Sequence, residues 1–286
     1  YLIGHINGLF YSGEILVVYA LFGLILIPLY KVSTKWLAVW CFVLLFQLPS
    51  LFYFVCLWFD PETPGLASFL RPFLTGRYKA MSLVLTEGSF MDVISYNFWQ
   101  GQVTKWLYYL MPVNMFRIFG LFVLGLLIGR LGIHKDASKM VKCAEQGVLW
   151  GLVLFVVFFC LNKVLPTFGI EAKQVVRMAN PLCRMYVNLG LMFMMVGVFV
   201  LAYFRLDARA ILNTLAPLGK MSLTNYVMQS VLGALIFYGF GFGLATACGP
   251  VLSLLIALIL GVFQVVFSLW WLKSHNHGPL ERAWRV

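Results

Sequence analysis

His5 and Glu14 lie near the amino end of the sequence and precede an apolar run that begins at Ile15. Placing ionisable side chains at the edge of a membrane span costs free energy unless they are paired or hydrated. Their presence therefore indicates a functional site. An imidazole oriented by a carboxylate can act as a general base. The break at Ser12 and Gly13 predicts a tight turn, across which the two side chains can approach. The alternative is a His at the membrane interface and a solvated Glu favoured by a helix N-terminus.

A second set of polar residues is predicted to share one face of a helix. Ser222, Asn225 and Gln229 are spaced at i, i+3 and i+7. We expect this face to look inward. Buried Asn and Gln side chains either join neighbouring helices by hydrogen bonds or form the polar wall of a substrate cavity, and the spacing agrees with both.

Two further places carry candidate substrate-binding residues. Asn97, Trp99 and Gln100 stand close together in a segment rich in amphipathic aromatic residues. Arg117 lies at the start of an apolar run, where its guanidinium either reaches phosphate headgroups or offers a fork to an anionic substrate.

Other classes of site lack support in the sequence. The six cysteines form no CxxC motif and no Cys/His spacing, so we expect no metal site. The net charge of +11 is not concentrated in a basic cluster interleaved with aromatic residues on a soluble module, so we expect no nucleic-acid partner.

Composition sets the elements that must position these side chains. With 62% hydrophobic and 11% charged residues, the chain has too few polar residues to cover a soluble globule. We predict an all-α, polytopic transmembrane helical bundle that forms a single integral membrane domain over residues 1–286, with about seven spans. The predicted spans are approximately 12–30, 36–59, 115–133, 144–163, 185–204, 222–240 and 250–272. The chain starts at Tyr1 with residues typical of the end of a helix, so we expect it to be N-terminally incomplete.

Charge distribution predicts the orientation of this bundle. Lys and Arg are frequent after the first, third, fifth and last predicted spans. By the positive-inside rule these loops and the C-terminus are expected to be cytoplasmic.

The long connection over residues 60–114 is then extracytoplasmic. Leu66–Leu85 and Phe90–Met111 mix apolar and polar residues at helical spacing, which predicts interfacial helices. Ser89 is placed to cap the second of these helices together with Asp92. These helices either seal the surface or form a lid that contacts substrate.

Three stretches of the chain resemble the YeiB-like group of uncharacterised bacterial inner-membrane proteins. The stretches are His5 with 12–16 and 19–23, then 88–90 with 97–101, then 219–226 with 229–230 and 278–281. This group is usually placed with membrane acyltransferases that use a cytoplasmic acyl-CoA donor, so the resemblance implies an acyltransferase-like helical bundle in a bacterial inner membrane. In the family pattern an Asp occupies the position of Glu14 and the His lies one residue nearer to it, so Asn7 competes with His5 for the inward position.

These observations lead to one functional hypothesis and its alternatives. We expect a membrane-bound acyltransferase that moves an acyl group from acyl-CoA to an extracytoplasmic or lipid-linked glycan acceptor, among membrane lipids. His5 is the expected base or transient acyl carrier and Glu14 its orienting partner. The alternatives are a transporter or lipid flippase, in which the same polar groups form a pathway, or a non-catalytic membrane component.

Overall fold

The computed structural model describes residues 2–60, 62–63, 65–165, 173–205 and 208–285, and within these ranges the regular structure is helical. The first helices are α1 (Leu2–Phe10), α2 (Leu16–Leu29), α3 (Thr34–Leu45), α4 (Leu48–Phe59) and α5 (Leu66–Glu87). They are followed by α6 (Phe90–Tyr96), α7 (Gln102–Leu110), α8 (Pro112–Leu131), α9 (Ala137–Val164) and α10 (Lys173–Phe204). The last are α11 (Arg209–Asn213), α12 (Ala216–Lys220), α13 (Ser222–Phe237), α14 (Pro250–Trp271) and α15 (Pro279–Trp284).

The predicted transmembrane helical class is confirmed. Among the described residues, four stretches are long and apolar enough to cross a membrane, and the pair α3 and α4, bent by 42°, adds a fifth. The four are Pro112–Leu131, Ala137–Val164, Met178–Phe204 and Pro250–Trp271. The remaining predicted spans correspond to the shorter apolar helices α2 and α13. Helix α13 ends at Phe237, ahead of a glycine-containing turn in which Gly243 adopts a φ of 64°.

The bend between α3 and α4 has a local cause. Pro49 stands in the first turn of α4 and has no N–H to continue the hydrogen bonds of α3. Gln47 takes a left-handed backbone conformation with a φ of 54°. Its side chain is fully buried, donates to the Val113 carbonyl at 3.1 Å and accepts from the Ser50 hydroxyl at 2.9 Å. These hydrogen bonds help hold an otherwise unfavourable backbone conformation.

The chain divides into two compact units. The first unit comprises Tyr1–Ala20, Phe73–Trp106 and Ala210–Val286, and the second comprises Leu21–Pro72 and Leu107–Arg209. The core of the second unit is an apolar cluster contributed by α3, α8 and α10. Its buried members are Leu37, Cys41, Leu44, Leu45, Val123, Met185, Tyr186 and Leu189.

Helices α9 and α10 approach closely in the second unit because small residues face each other. A Cβ atom at Gly190 would lie 2.5 Å from the carbonyl oxygen of Gly151, and one at Gly151 would lie 2.7 Å from that of Gly190. Small residues allow backbones to come together in this way in membrane helices.

In the first unit, polar contacts hold α13 in place. Asn225 Nδ2 donates to Ser268 Oγ at 2.9 Å, and Gln264 Nε2 donates to the Asn225 carbonyl at 2.8 Å, which joins α13 to α14. The carboxylate of Glu281 accepts from the backbone N–H groups of Leu223 and Thr224 at the N-terminus of α13. This carboxylate satisfies N–H groups that the helix itself leaves open.

The predicted helices of the 60–114 connection are also present. Ser89 caps α6 with a capping box, in which Asp92 Oδ2 accepts from the Ser89 N–H at 2.9 Å, as the sequence predicts. The predicted helix Phe90–Met111 is interrupted, because Asn97–Gly101 forms a π-helical turn between α6 and α7. A π-helical turn inserts one residue into the helix and is frequent at functional sites.

Candidate functional site

The centre of the candidate site is the turn between α1 and α2 in the first unit. Two glycines of α1 face Glu14. A Cβ atom at Gly4 would lie 3.0 Å from Glu14 Oε1, and one at Gly8 would lie 3.7 Å from Glu14 Cβ. The absence of side chains at Gly4 and Gly8 therefore allows α1 to lie directly against the turn.

Glu14 forms a buried ion pair with Lys105 of α7. The Lys105 Nζ atom lies 3.4 Å from Glu14 Oε2, and their side chains are 4% and 0% exposed. The same carboxylate accepts from the backbone N–H groups of Leu16 and Val17 in the first turn of α2. The negative charge is thus stabilised by a cation and by the positive end of a helix.

The pKa of Lys105 is affected by this environment. Burial lowers the pKa of its ammonium group, and the charge and hydrogen bond of Glu14 oppose part of this shift. Lys105 was not among the predicted site residues. The sequence contains a feature that could have identified Lys105. It is the basic residue of α7 and lies about two helical turns after Asn97, on the same buried face.

Two buried asparagines lie close to the turn. Asn7 of α1 donates to Ser230 Oγ at 3.3 Å, and Asn97 of the π-helical turn donates to the Leu9 carbonyl at 3.1 Å. They are 2% and 1% exposed. Within the described part of the chain, the Oδ1 atom of each has no hydrogen-bond partner. A Cβ atom at Gly101 would lie 2.6 Å from Asn97 Oδ1, so this glycine makes room for the carboxamide.

A groove of about 440 Å³ adjoins the turn in the first unit. Tyr226, Gln229 and Ser230 contribute polar groups to it, whereas Ile256 and Leu260 of α14 contribute apolar surface. A hydrogen bond connects the groove to the turn, because the Ile15 N–H donates to the Tyr226 hydroxyl at 3.1 Å. Since Ser230 also binds Asn7, the polar part of the groove continues into α1.

The structure places the other predicted site residues in different surroundings. His5 is half-buried on α1, next to Gly4, and its pairing with Glu14 stays a prediction. Trp99 is 67% exposed. Gln100 is also exposed, and its Oε1 atom accepts from Arg77 Nη1 at 2.5 Å.

The polar face of α13 is enclosed only in part. Asn225 is buried and its hydrogen bonds are those of helix packing, since they join α13 to α14. Ser222 and Gln229 are exposed, and Gln229 lines the groove. The helical spacing correctly places the three residues on one side, but the neighbouring helix covers only the middle one. Substrate binding by these residues stays a prediction.

Two further predictions concern Arg117 and metal binding. Arg117 is half-buried in α8 and belongs to the second unit, and its contact with substrate stays a prediction. Within the described ranges, His, Cys, Asp and Glu side chains do not gather in groups of three or more.

Comparison with known proteins identifies the family to which this chain belongs. Residues 128–286 match DUF418, described as a protein family of unknown function. This chain belongs to the DUF418 family. The matched region includes α13 and α14, the two helices that contribute side chains to the groove of the candidate site.

Relatives of this DUF418 chain extend the similarity. It is 28% identical over 289 residues to the uncharacterized protein YxaH of Bacillus subtilis, covering 97% of this chain and 66% of YxaH. It is 39% identical over 79 residues to an uncharacterized 39.9 kDa protein of Bacillus acidopullulyticus, covering 28% of this chain and 22% of that protein. It is 32% identical over 71 residues to the uncharacterized protein YeiB of Escherichia coli, covering 25% and 18%. The resemblance to the YeiB-like group is confirmed.

The chain thus spans just under two thirds of the length of YxaH and smaller parts of the other two relatives. No solved structure matches it.

Proposed function

We propose that this DUF418 protein is a membrane-bound acyltransferase that moves an acyl group from a cytoplasmic acyl-CoA to an extracytoplasmic or lipid-linked glycan acceptor. The supporting observation is the groove beside the turn between α1 and α2, because it combines polar groups with apolar surface. An acceptor hydroxyl and an acyl chain require these two environments side by side.

In this proposal His5 acts as the base. Its imidazole takes the proton of the acceptor hydroxyl, the oxygen bonds to the thioester carbonyl carbon, and the carbon–sulfur bond breaks to release the thiolate of CoA. The proton then passes from His5 to this thiolate. Glu14 acts by holding the turn through its ion pair with Lys105, so that His5 and the groove keep their relative positions.

The test is an acyl-transfer assay with the full-length protein in lipid nanodiscs, using labelled acyl-CoA and membrane glycolipids. We expect His5→Ala to reduce transfer at least 100-fold, the low end of the contribution of a general base. His275→Ala is the matched control, because His275 is exposed near the end of the chain and stacks on Trp271. Full activity of His5→Ala would exclude His5 as the base.

A transporter or lipid flippase is a second candidate. The buried Glu14–Lys105 pair favours it, because buried, paired ionisable groups in membrane proteins often mark a transport pathway. Flux of labelled glycolipid across proteoliposomes without acyl transfer would support this candidate. Absence of both transfer and flux would instead support a non-catalytic membrane component.

We also propose a bacterial inner-membrane location with a cytoplasmic C-terminus. The basic loops support this orientation by the positive-inside rule. Two C-terminal fusions test this orientation. Green fluorescent protein fluoresces in the cytoplasm, whereas alkaline phosphatase is active in the periplasm. Fluorescence of the first fusion with inactivity of the second is the expected result.

A further inference from the structure

A second groove lies in the other unit of the chain, and none of its lining residues belongs to the candidate site. It has a volume of about 400 Å³ and is formed by α8, α9, α10 and the short 3₁₀ turn Ile133–Lys135. Its walls are mainly apolar and include Leu124, Trp150, Phe193 and Val196. The apolar walls of this groove match the polarity of a lipid acyl chain.

One end of this groove is basic. His134 lines it directly, and Lys135 follows His134 in the chain. On α9, Lys139 stands four residues before the lining residue Cys143, so the two lie within about 40° on the helix surface. Lys135 and Lys139 therefore add positive charge next to the lining residues His134 and Cys143 at this end of the groove.

The nearby acidic residues Asp136 and Glu145 already have partners within the protein. Asp136 caps α9 by accepting from the Ser138 and Lys139 N–H groups, and these hydrogen bonds keep its pKa below the usual range despite the opposing effect of burial. Glu145 pairs with Arg205 at 2.5 Å. Lys139 also contacts Asp136 at 3.6 Å, but the Lys139 side chain is 63% exposed, and such surface pairs contribute little and are easily exchanged.

We propose that this groove binds an anionic phospholipid, with the phosphate at His134 and Lys139 and one acyl chain along Leu124 and Phe193. Charge complementarity supports this ligand, because basic pockets between membrane helices bind anionic headgroups. A zwitterionic lipid of the same chain length fills the apolar part equally well but carries no net negative charge for the basic end. We therefore expect the groove to select lipids by their headgroup.

Gly147 provides an independent way to test the acyl chain. It lines the groove, and a Cβ atom there would meet only the Phe193 carbonyl oxygen, at an ordinary 3.7 Å. A larger side chain at this position would therefore extend into the groove without displacing backbone. Gly125 of α8 is the matched control, since a Cβ atom there meets nothing within 4 Å and it does not line the groove.

The experiment is a lipid titration of the delipidated full chain in detergent, followed by native mass spectrometry. Phosphatidylglycerol and phosphatidylcholine with identical acyl chains are compared. We expect phosphatidylglycerol to bind about tenfold more tightly, and Lys139→Glu to remove most of this preference. Lys35→Glu makes the same charge change at an exposed position of α3 outside the groove and is expected to keep the preference.

Gly147→Leu is expected to weaken binding of both lipids about tenfold, whereas Gly125→Leu leaves binding unchanged. Equal affinity of the unmodified chain for the two lipids would overturn the proposal, and this comparison needs no variant. Equal effects of Lys139→Glu and Lys35→Glu would also overturn it, because they would indicate general surface attraction. Unchanged binding by Gly147→Leu would place the acyl chain elsewhere.

Discussion

The two units of this protein bury very different side chains. Among the described residues, ten buried polar or charged side chains lie in the first unit and two in the second. The two are Gln47 and Ser50, which hold the bend between α3 and α4. Those of the first unit include the Glu14–Lys105 ion pair.

This difference is the reason for assigning the proposed reaction to the first unit. Burying a polar group costs free energy unless it is hydrogen-bonded, and burying a charge costs more. The second unit largely avoids this cost, because its core is apolar and its helices pack closely at glycines. The first unit retains polar groups on α1, α7 and α13 around one turn, so we place the candidate reaction there. The following experiments test the contrast.

The largest effect is expected for Lys105→Met in the first unit. The substitution leaves the fully buried Glu14 carboxylate without its cation, which costs about 3–5 kcal/mol in the free energy of unfolding. Denaturant unfolding in detergent micelles, followed by circular dichroism, measures the loss.

A double variant shows whether the loss comes from the unpaired charge. Combining Glu14→Gln with Lys105→Met removes both charges, and we expect it to be clearly more stable than Lys105→Met alone. If single and double variants were equally unstable, the pair would matter for packing and the contrast between the units would weaken.

An intermediate effect is expected for Gly190→Ala in the second unit. The added methyl would lie 2.5 Å from the Gly151 carbonyl oxygen and 2.8 Å from the Phe155 nitrogen, so α9 and α10 must separate. Overpacking of this kind costs about 1–3 kcal/mol. The same unfolding measurement detects it.

Gly261→Ala is the matched control, because a Cβ atom at Gly261 meets nothing within 4 Å. There the replacement removes a flexible residue from a helix and is expected to stabilise the protein by about 0.5–1 kcal/mol. Destabilisation of the same size by both variants would show that close contact at Gly190 is not the cause.

The smallest effect is a pH dependence carried by Glu281. Burial by itself raises the pKa of this carboxyl, but hydrogen bonds from Thr224 and Leu223 outweigh it and lower the pKa below its usual range. The contribution of Glu281 to stability is therefore complete above the pKa of the unfolded chain. It is lost as the pH falls through the lower pKa of the folded protein.

Thermal unfolding between about pH 6 and pH 3 checks this sign. We expect Glu281→Gln to lose stability at the upper end of the range and to show a flatter pH profile than the unmodified protein. Glu87→Gln is the control, because Glu87 is exposed, and it is expected to keep the unmodified profile. A steeper profile for Glu281→Gln would contradict the lowered pKa.

The sequence by itself determined the membrane class and the capping box at Ser89. It also located helices at the seven predicted spans, although the second is the bent pair α3 and α4, and α2 and α13 are shorter than predicted. These features follow from hydrophobic runs, turn residues and cap spacing, which act over a few neighbouring residues. The length of α13 and the π-helical turn at Asn97–Gly101 were not predicted, because both depart from a regular helix over only a few residues.

Only the tertiary structure decided that Glu14 pairs with Lys105, which is 91 residues away, and that Asn225 joins two helices while Gln229 lines a groove. The pattern of a sequence states which side chains share a helix face, but not which other helix covers that face. Partner choice for a buried charge depends on how separate helices pack, and that information lies in contacts distant along the chain.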